Sequence, residues 1–173
     1  MMRWIHFTLF LLALNGCASK LPSAISESPA EPVSVQEVQK QPQAYLSRKV
    51  RWGGEVIEVE NGQEHSDVLV LGRELKKKGE PRENGTVDGR FIARFGGFVD
   101  PAELSEGSRI TVSGPVIGLE TRKVGEFTYP YPVVKVEAWH LWPEPEPRQY
   151  YYDPWWPYYY PYWGRPWGYP YWW

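Results

Sequence analysis

The sequence predicts an all-β fold, and three observations carry that prediction. From Val50 to Val56, apolar or aromatic residues alternate with polar ones at the period of a half-buried strand, and the phase then slips at Val56-Ile57. Short apolar runs follow it up to Trp142, divided by Gly, Pro, Asn and Asp. No stretch carries the apolar pattern of a long helix or of strands alternating with helices. A phase slip beside Gly53-Gly54 marks a bulged or coiled strand that turns a corner, and a small closed sheet needs one such strand to serve both of its halves. The expected architecture is a small five-stranded OB-like barrel with a short helical turn. A plain meander barrel or a small sandwich is the alternative.

The strands are expected in this order. The long strand starts at Val50 and runs to Asn61-Gly62, a hairpin signal. Asp67 to Leu71 is nearly all apolar and reads as central. Arg90 to Phe95 is the third strand, broken by Gly96-Gly97. Asp100 is placed to cap a single turn through Leu104, with Pro101 in its first position and Gly107 ending it. Ser108 to Gly114 alternates cleanly and continues through Pro115 to Leu119. Gly125 marks a reversal, and Tyr131 to Trp142 is the last strand. Ahead of these, Val35 to Tyr45 suits a short helix or turn stopped by Pro42.

The two ends of the chain read differently. Met1 to Arg3 and the apolar stretch Ile5 to Leu14 form a signal-peptide pattern, because about ten helical residues span about 15 Å, half of a bilayer's hydrocarbon. Leu14-Asn15-Gly16-Cys17 then resembles the lipobox of bacterial lipoproteins. It implies cleavage before Cys17 and acylation of that thiol, with Ala18 implying sorting to the outer membrane. Several acyl chains on one residue anchor stably where one does not. The expected division is a signal peptide at 1–16, lipidated Cys17 with a flexible Ser/Pro/Ala/Glu-rich linker at 17–39, the β domain at 40–145, and a low-complexity tail at 146–173. In that tail, fifteen of the twenty-four residues from Tyr150 to Trp173 are Tyr or Trp, and five prolines forbid a regular helix or buried strand. The tail is expected to be either a disordered, compositionally biased segment or a contact segment; Tyr and Trp favour the membrane–water interface, so in the second case it docks on the bilayer surface or on an envelope protein.

Sites of chemistry are sparse. Formal net charge is -2, which gives no bulk attraction to nucleic acid. Cys17 is the one cysteine, and His6, His65 and His140 show no metal-ligand spacing. No nucleophile, phosphate or dinucleotide motif occurs, so neither cofactor nor metal is expected. Glu55, Glu58 and Glu60 are close enough to suggest the carboxylate pair of a glycosidase, but they fit a solubilising strand face better. Lys76-Lys77-Lys78 suits either contact with phosphate groups of lipid or a solvated loop balanced by Glu74, Glu80 and Glu83. Trp52, Phe95 and Phe98 are the candidates to stack on a small ligand such as an oligosaccharide; core packing is their ordinary role.

Several pieces also carry a resemblance: Pro42-x-x-Tyr45, Val50-Arg51-Trp52-Gly53-Gly54-x-Val56, Gly89-Arg90-Phe91-Ile92-Ala93, Gly97-Phe98-Val99-Asp100-Pro101, Thr111-Val112-x-Gly114, Tyr129-Pro130-Tyr131-Pro132-Val133-Val134 and Trp139-His140-Leu141-Trp142. In this order and spacing the chain resembles the starvation-inducible (Slp-type) outer-membrane lipoproteins of Gram-negative bacteria over about Val35 to Trp142. Leu104 departs from the aromatic residue that the resemblance leads one to expect. The resemblance implies an outer-membrane lipoprotein tied to starvation or stationary phase; the expected location is lipid-anchored on the periplasmic face of that membrane. The resemblance brings no catalytic residue. The expected role is a non-enzymatic one, binding an envelope partner or surface, with an OB-type module for a small envelope ligand such as an oligosaccharide as the alternative.

Overall fold

The computed structural model describes residues 21–144. Six strands, β1 (Lys49–Asn61), β2 (His65–Arg73), β3 (Val87–Gly96), β4 (Arg109–Val124), β5 (Phe127–Lys135) and β6 (Ala138–Trp142), form one sheet. Its order is β1-β2-β3-β5-β4-β6, and β1 also pairs with β4, so five strands close into a ring. All neighbours are antiparallel except β3 and β5. This ring-like sheet has the OB-like strand order expected from the sequence.

Closure depends on β1. Its first half, Lys49 to Glu55, pairs with β4, and its second half, Gly54 to Asn61, pairs with β2. Gly54 and Glu55 belong to both ladders. A Cβ on Gly54 would lie 1.9 Å from the Leu71 carbonyl oxygen, so only glycine admits the approach. Just beyond, the β1–β2 register shifts between Val56 and Glu58, leaving Ile57 as the bulged residue. The bulge explains the phase slip: Val56 faces the interior of the ring and Ile57 turns outward.

Two clusters of buried side chains result. The interior holds Val50, Trp52, Val56, Val68, Val70, Phe91, Ala93, Phe95, Ile110, Val112, Val116 and Val134. A smaller cluster, Leu69, Ile92, Tyr131 and Val133, lies on the opposite face of β2, β3 and β5, with Ile57, Val124 and Tyr129 packed against it. The turn before β4 follows the expected capping. Asp100 Oδ1 accepts from Ala102 N at 2.8 Å, Asp100 O accepts from Leu104 N at 3.1 Å, and Leu104 is buried.

Two sequence expectations need correction. Residues 21–39 are not a free linker. A turn of helix, α1 (Ser23–Ser26), buries Ile25, and α2 (Val35–Lys40) buries Val35 and Val38 in the main core. Ser34 and Glu37 cap α2 reciprocally, with Ser34 N donating to Glu37 Oε2 at 2.7 Å and Glu37 N to Ser34 Oγ at 3.1 Å. Isolated apolar residues among Pro and Ser show no period, which is why composition alone suggests a tether. The last strand is also two. β5 starts at Phe127, and the chain breaks at Val136-Glu137 before β6. In β6, Trp139 and Leu141 pack on the core, while His140 stacks edge-on against Trp142.

Gly54→Val is expected to cost at least about 3 kcal/mol, since the backbone must move to accept the side chain. Urea denaturation of the full chain measures this, and unchanged stability would refute the shared corner.

Candidate functional site

Of the sequence-predicted site residues, Cys17 and the Tyr150–Trp173 tail lie outside the described residues. Trp52 is 4% exposed; its indole N–H donates to the Val33 carbonyl at 2.6 Å and its ring meets Phe91 edge-on at 5.3 Å. Phe95 is 8% exposed and packs edge-on against Trp139. Both therefore serve the core and present no face for stacking. Phe98 is 75% exposed, just past the end of β3, and takes no part in either cluster. The three rings do not form one platform.

In OB-type domains, the exposed face of strands 2 and 3 is the usual ligand platform. Here the chain's own β4–β5 hairpin covers that face. Tyr131 is buried against Leu69 and Ile92. Tyr129 Oη accepts from Gln39 Nε2 at 2.9 Å and from Arg90 N at 3.1 Å, tying the hairpin to α2 and β3. In Tyr129-Pro130-Tyr131-Pro132 the strand alternation puts the two tyrosines on one side of β5.

A charged network locks the hairpin down. Arg94 of β3 donates to both oxygens of Asp67, at 2.7 and 2.8 Å, and to Glu120 at 2.5 Å. Arg122 of the hairpin donates to Asp67 at 2.6 Å, to Glu120 at 3.1 Å and to Glu60. Asp67 is 5% exposed. Burial works to raise its pKa, but the Arg94 bonds, the Arg94 charge and Arg122 outweigh it and hold the carboxyl below the ordinary value. Burial opposes the charge on Arg122, and its carboxylate partners more than restore it. Sequence reading misses this network because its cross-strand pairs are separated by 26 to 62 positions. No local spacing announces them. The same network gives Glu60 a structural partner and separates it from any catalytic pair with Glu55, which bonds Arg73.

Two clefts remain. The first, about 550 Å³, lies between the 28–37 segment, β1 and the 73–88 loop, within the size range of small-molecule sites. Arg51 lines it and donates to the Ile25 carbonyl at 3.0 Å, with its Nε left without a partner. Asp88 also lines it and accepts from Val35 N at 2.9 Å, and burial pushes its carboxyl up. The second, about 700 Å³, is acidic: Glu55, Glu83, Glu106 and Glu144 surround Arg109. Among the described residues, no helix is long and apolar enough to cross a membrane.

A ring-like β domain whose β2–β3 face is covered by its own hairpin, with no metal-binding cluster among the described residues, defines a class: a small OB-like β protein. The particular family follows from comparison. This chain belongs to the outer membrane lipoprotein Slp family, whose family model matches residues 14–173. Its relatives include an uncharacterized lipoprotein, YeaY, of Escherichia coli K12, 32% identical over 163 residues that cover 86% of this chain and 81% of that protein. An uncharacterized protein of Haemophilus influenzae is 30% identical, covering 80% and 75%. Outer membrane protein Slp of E. coli K12 is 28% identical, covering 76% and 71%. Among solved structures, a small single-stranded DNA-binding protein of Streptomyces coelicolor superposes with a TM-score of 0.31 at 13% identity, covering 55% of this chain and 94% of that one.

Asp67→Asn should cost about 2 kcal/mol at pH 7, because it leaves two arginines short of a charge-assisted partner. The depressed pKa means that Asp67 contributes its full share above the unfolded value of about 3.9, and the share is lost as pH falls through the lower folded value. Wild type and the Asp67→Asn variant should therefore converge in stability toward pH 3 in urea titrations. A constant difference between pH 7 and pH 3 would contradict the assignment.

Proposed function

We propose that this protein is a non-enzymatic lipoprotein, anchored through acylated Cys17 to the periplasmic face of the outer membrane, that acts by binding an envelope partner or surface. The observation that carries this reading is the placement of the one cysteine directly after an h-region, in Leu14-Asn15-Gly16-Cys17, within a chain of an outer membrane lipoprotein family. The aromatic tail supplies the contact. Its only charged side chains from Tyr150 onward are Asp153 and Arg165, so its attraction is to an interface rather than to charge. The association with starvation or stationary phase rests on the family resemblance. The sealed β2–β3 face supports a structural or adaptor role over catalysis.

A second reading is an OB-type module that binds a small envelope ligand such as an oligosaccharide. The cleft beside Arg51 favours it: the outer face is covered, so a ligand of that kind would enter there, between the 28–37 segment and β1. Trp52 would then offer only an edge, not a stacking face.

Mass spectrometry of protein from its native host should show acylated Cys17 as the mature N-terminus. Removing the lipid with Cys17→Ser should leave a chain that still binds vesicles or envelope fragments, and truncation after Pro147 should abolish that binding. An unmodified thiol would overturn the anchor. Equal partitioning of the full and truncated chains would overturn the role of the tail.

A further inference from the structure

Three features that bear on a membrane converge on one end of the domain. The first is the point where the tether joins the fold. Because α1 begins at Ser23, only residues 18–22 separate it from Cys17, a reach of at most about 20 Å. An acyl anchor at Cys17 would therefore hold the α1 end against the bilayer rather than let the domain stand off.

The second is the lysine turn. Lys76, Lys77 and Lys78 are exposed, and Gly79 closes the turn with its N–H on the Lys76 carbonyl at 2.8 Å. Gly79 has φ +94°, and a Cβ on it would lie 2.3 Å from the Ile25 carbonyl oxygen, so the turn is seated directly on α1. Thr111 Oγ1 donates to the Gly79 carbonyl at 2.6 Å and fixes the turn to β4. Lys76 is paired with Glu80 at 3.0 Å. Lys77 and Lys78 have no ion-pair partner among the described residues.

The third is the departure of the aromatic tail. Arg109 donates to Glu80 at 3.0 Å and to the Pro143 carbonyl at 2.6 Å, which places the exit from β6 beside the lysine turn. α1 also packs against β4 and β6. The opposite end of the 16-residue β4 carries Lys123 and the hairpin tip.

We propose that this end, formed by α1, the Lys76–Lys78 turn and the exit after Pro143, is the membrane-facing surface of the domain, and that Lys77 and Lys78 contact lipid headgroup phosphates there. The proposal rests on the anchor reading for its biological setting, but the surface is a property of the fold. Glu106 and Glu144, in the acidic groove around Arg109, carry no ion pair among the described residues. Their repulsion means that the lysines act together with the tether and tail, orienting a domain that those segments already hold.

The chain's one cysteine allows a test that does not depend on natural acylation. The mature chain from Cys17 is coupled through its thiol to maleimide-headgroup lipid in vesicles of phosphatidylcholine with about a third phosphatidylglycerol, a mixture chosen for its negative surface potential. Amine acetylation is then followed residue by residue by mass spectrometry. Lys77 and Lys78 should react several-fold more slowly than in the untethered chain, while exposed Lys123 reacts at its untethered rate. The protection should shrink on phosphatidylcholine alone. In the untethered Cys17→Ser chain, Lys77→Gln with Lys78→Gln should weaken binding to the anionic vesicles by roughly twenty-five-fold, about five-fold per lysine. Unprotected Lys77 and Lys78, or equal protection of Lys123, would overturn the proposal. An unacylated Cys17 in the native protein would instead overturn the anchor, and the acetylation pattern would still decide for or against the surface.

Discussion

The structure depends on a backbone approach that only glycine permits. At Gly54 one strand must pair with β2 on one edge and β4 on the other, and the Leu71 carbonyl comes where a side chain would stand. From this corner β1 serves two ladders, and the sheet closes into a ring with its apolar residues inside. Backbone pairing on both edges satisfies the polar groups that closure takes out of water. The bulge at Ile57 is the second consequence. It turns an apolar residue outward just where the β4–β5 hairpin folds back, and so gives the outer cluster one of its members.

Covering the outer face has a cost that explains the charged network. Bringing the hairpin over β2 and β3 leaves Asp67 almost entirely out of contact with water, and an unpaired carboxylate there would be strongly unfavourable. Arg94 and Arg122 meet it from two different strands, and Glu120 and Glu60 take up further donors of the two guanidinium groups. Breaking such a group is more costly than its formation is rewarding, so it acts chiefly to fix where the hairpin lies. The result removes the surface that an OB-like domain ordinarily offers to a ligand. In the proposed reading, binding then falls to the ends of the domain and to the segments attached there.

How much of this is legible in the sequence divides along physical lines. Period-2 alternation, Gly53-Gly54 and the Val56-Ile57 slip are local signals, and they locate the corner strand and the bulge. Asp100-Pro101 locates the capped turn for the same reason. The covering hairpin is not legible, because Tyr129 and Tyr131 lie in a proline-interleaved run, and proline argues against a strand interior. Its contacts to Leu69, Ile92 and Gln39 are also remote in sequence. Residues 21–40 mislead for a related reason: Ile25, Val35 and Val38 fill gaps in a core built by other segments, and a single filler has no periodicity. Trp52 and Phe95 as stacking candidates, and Glu55 and Glu60 as a carboxylate pair, follow from residue type alone. Burial gives the two rings, and ion pairing the two carboxylates, structural partners in the fold.

If β1 joins both halves of the ring into one cooperative unit, with residues 23–40 packed onto it, the two halves must open together. Native-state amide hydrogen exchange across a urea series measures this. The amides of Trp52 and Glu55 should exchange only through global unfolding, together with those of Val68 in β2 and Val112 in β4, and Val38 in α2 should be protected as well. Separate exchange of the β1–β4 half from the β1–β2 half, at a free energy well below that of global unfolding, would contradict the shared corner at Gly54.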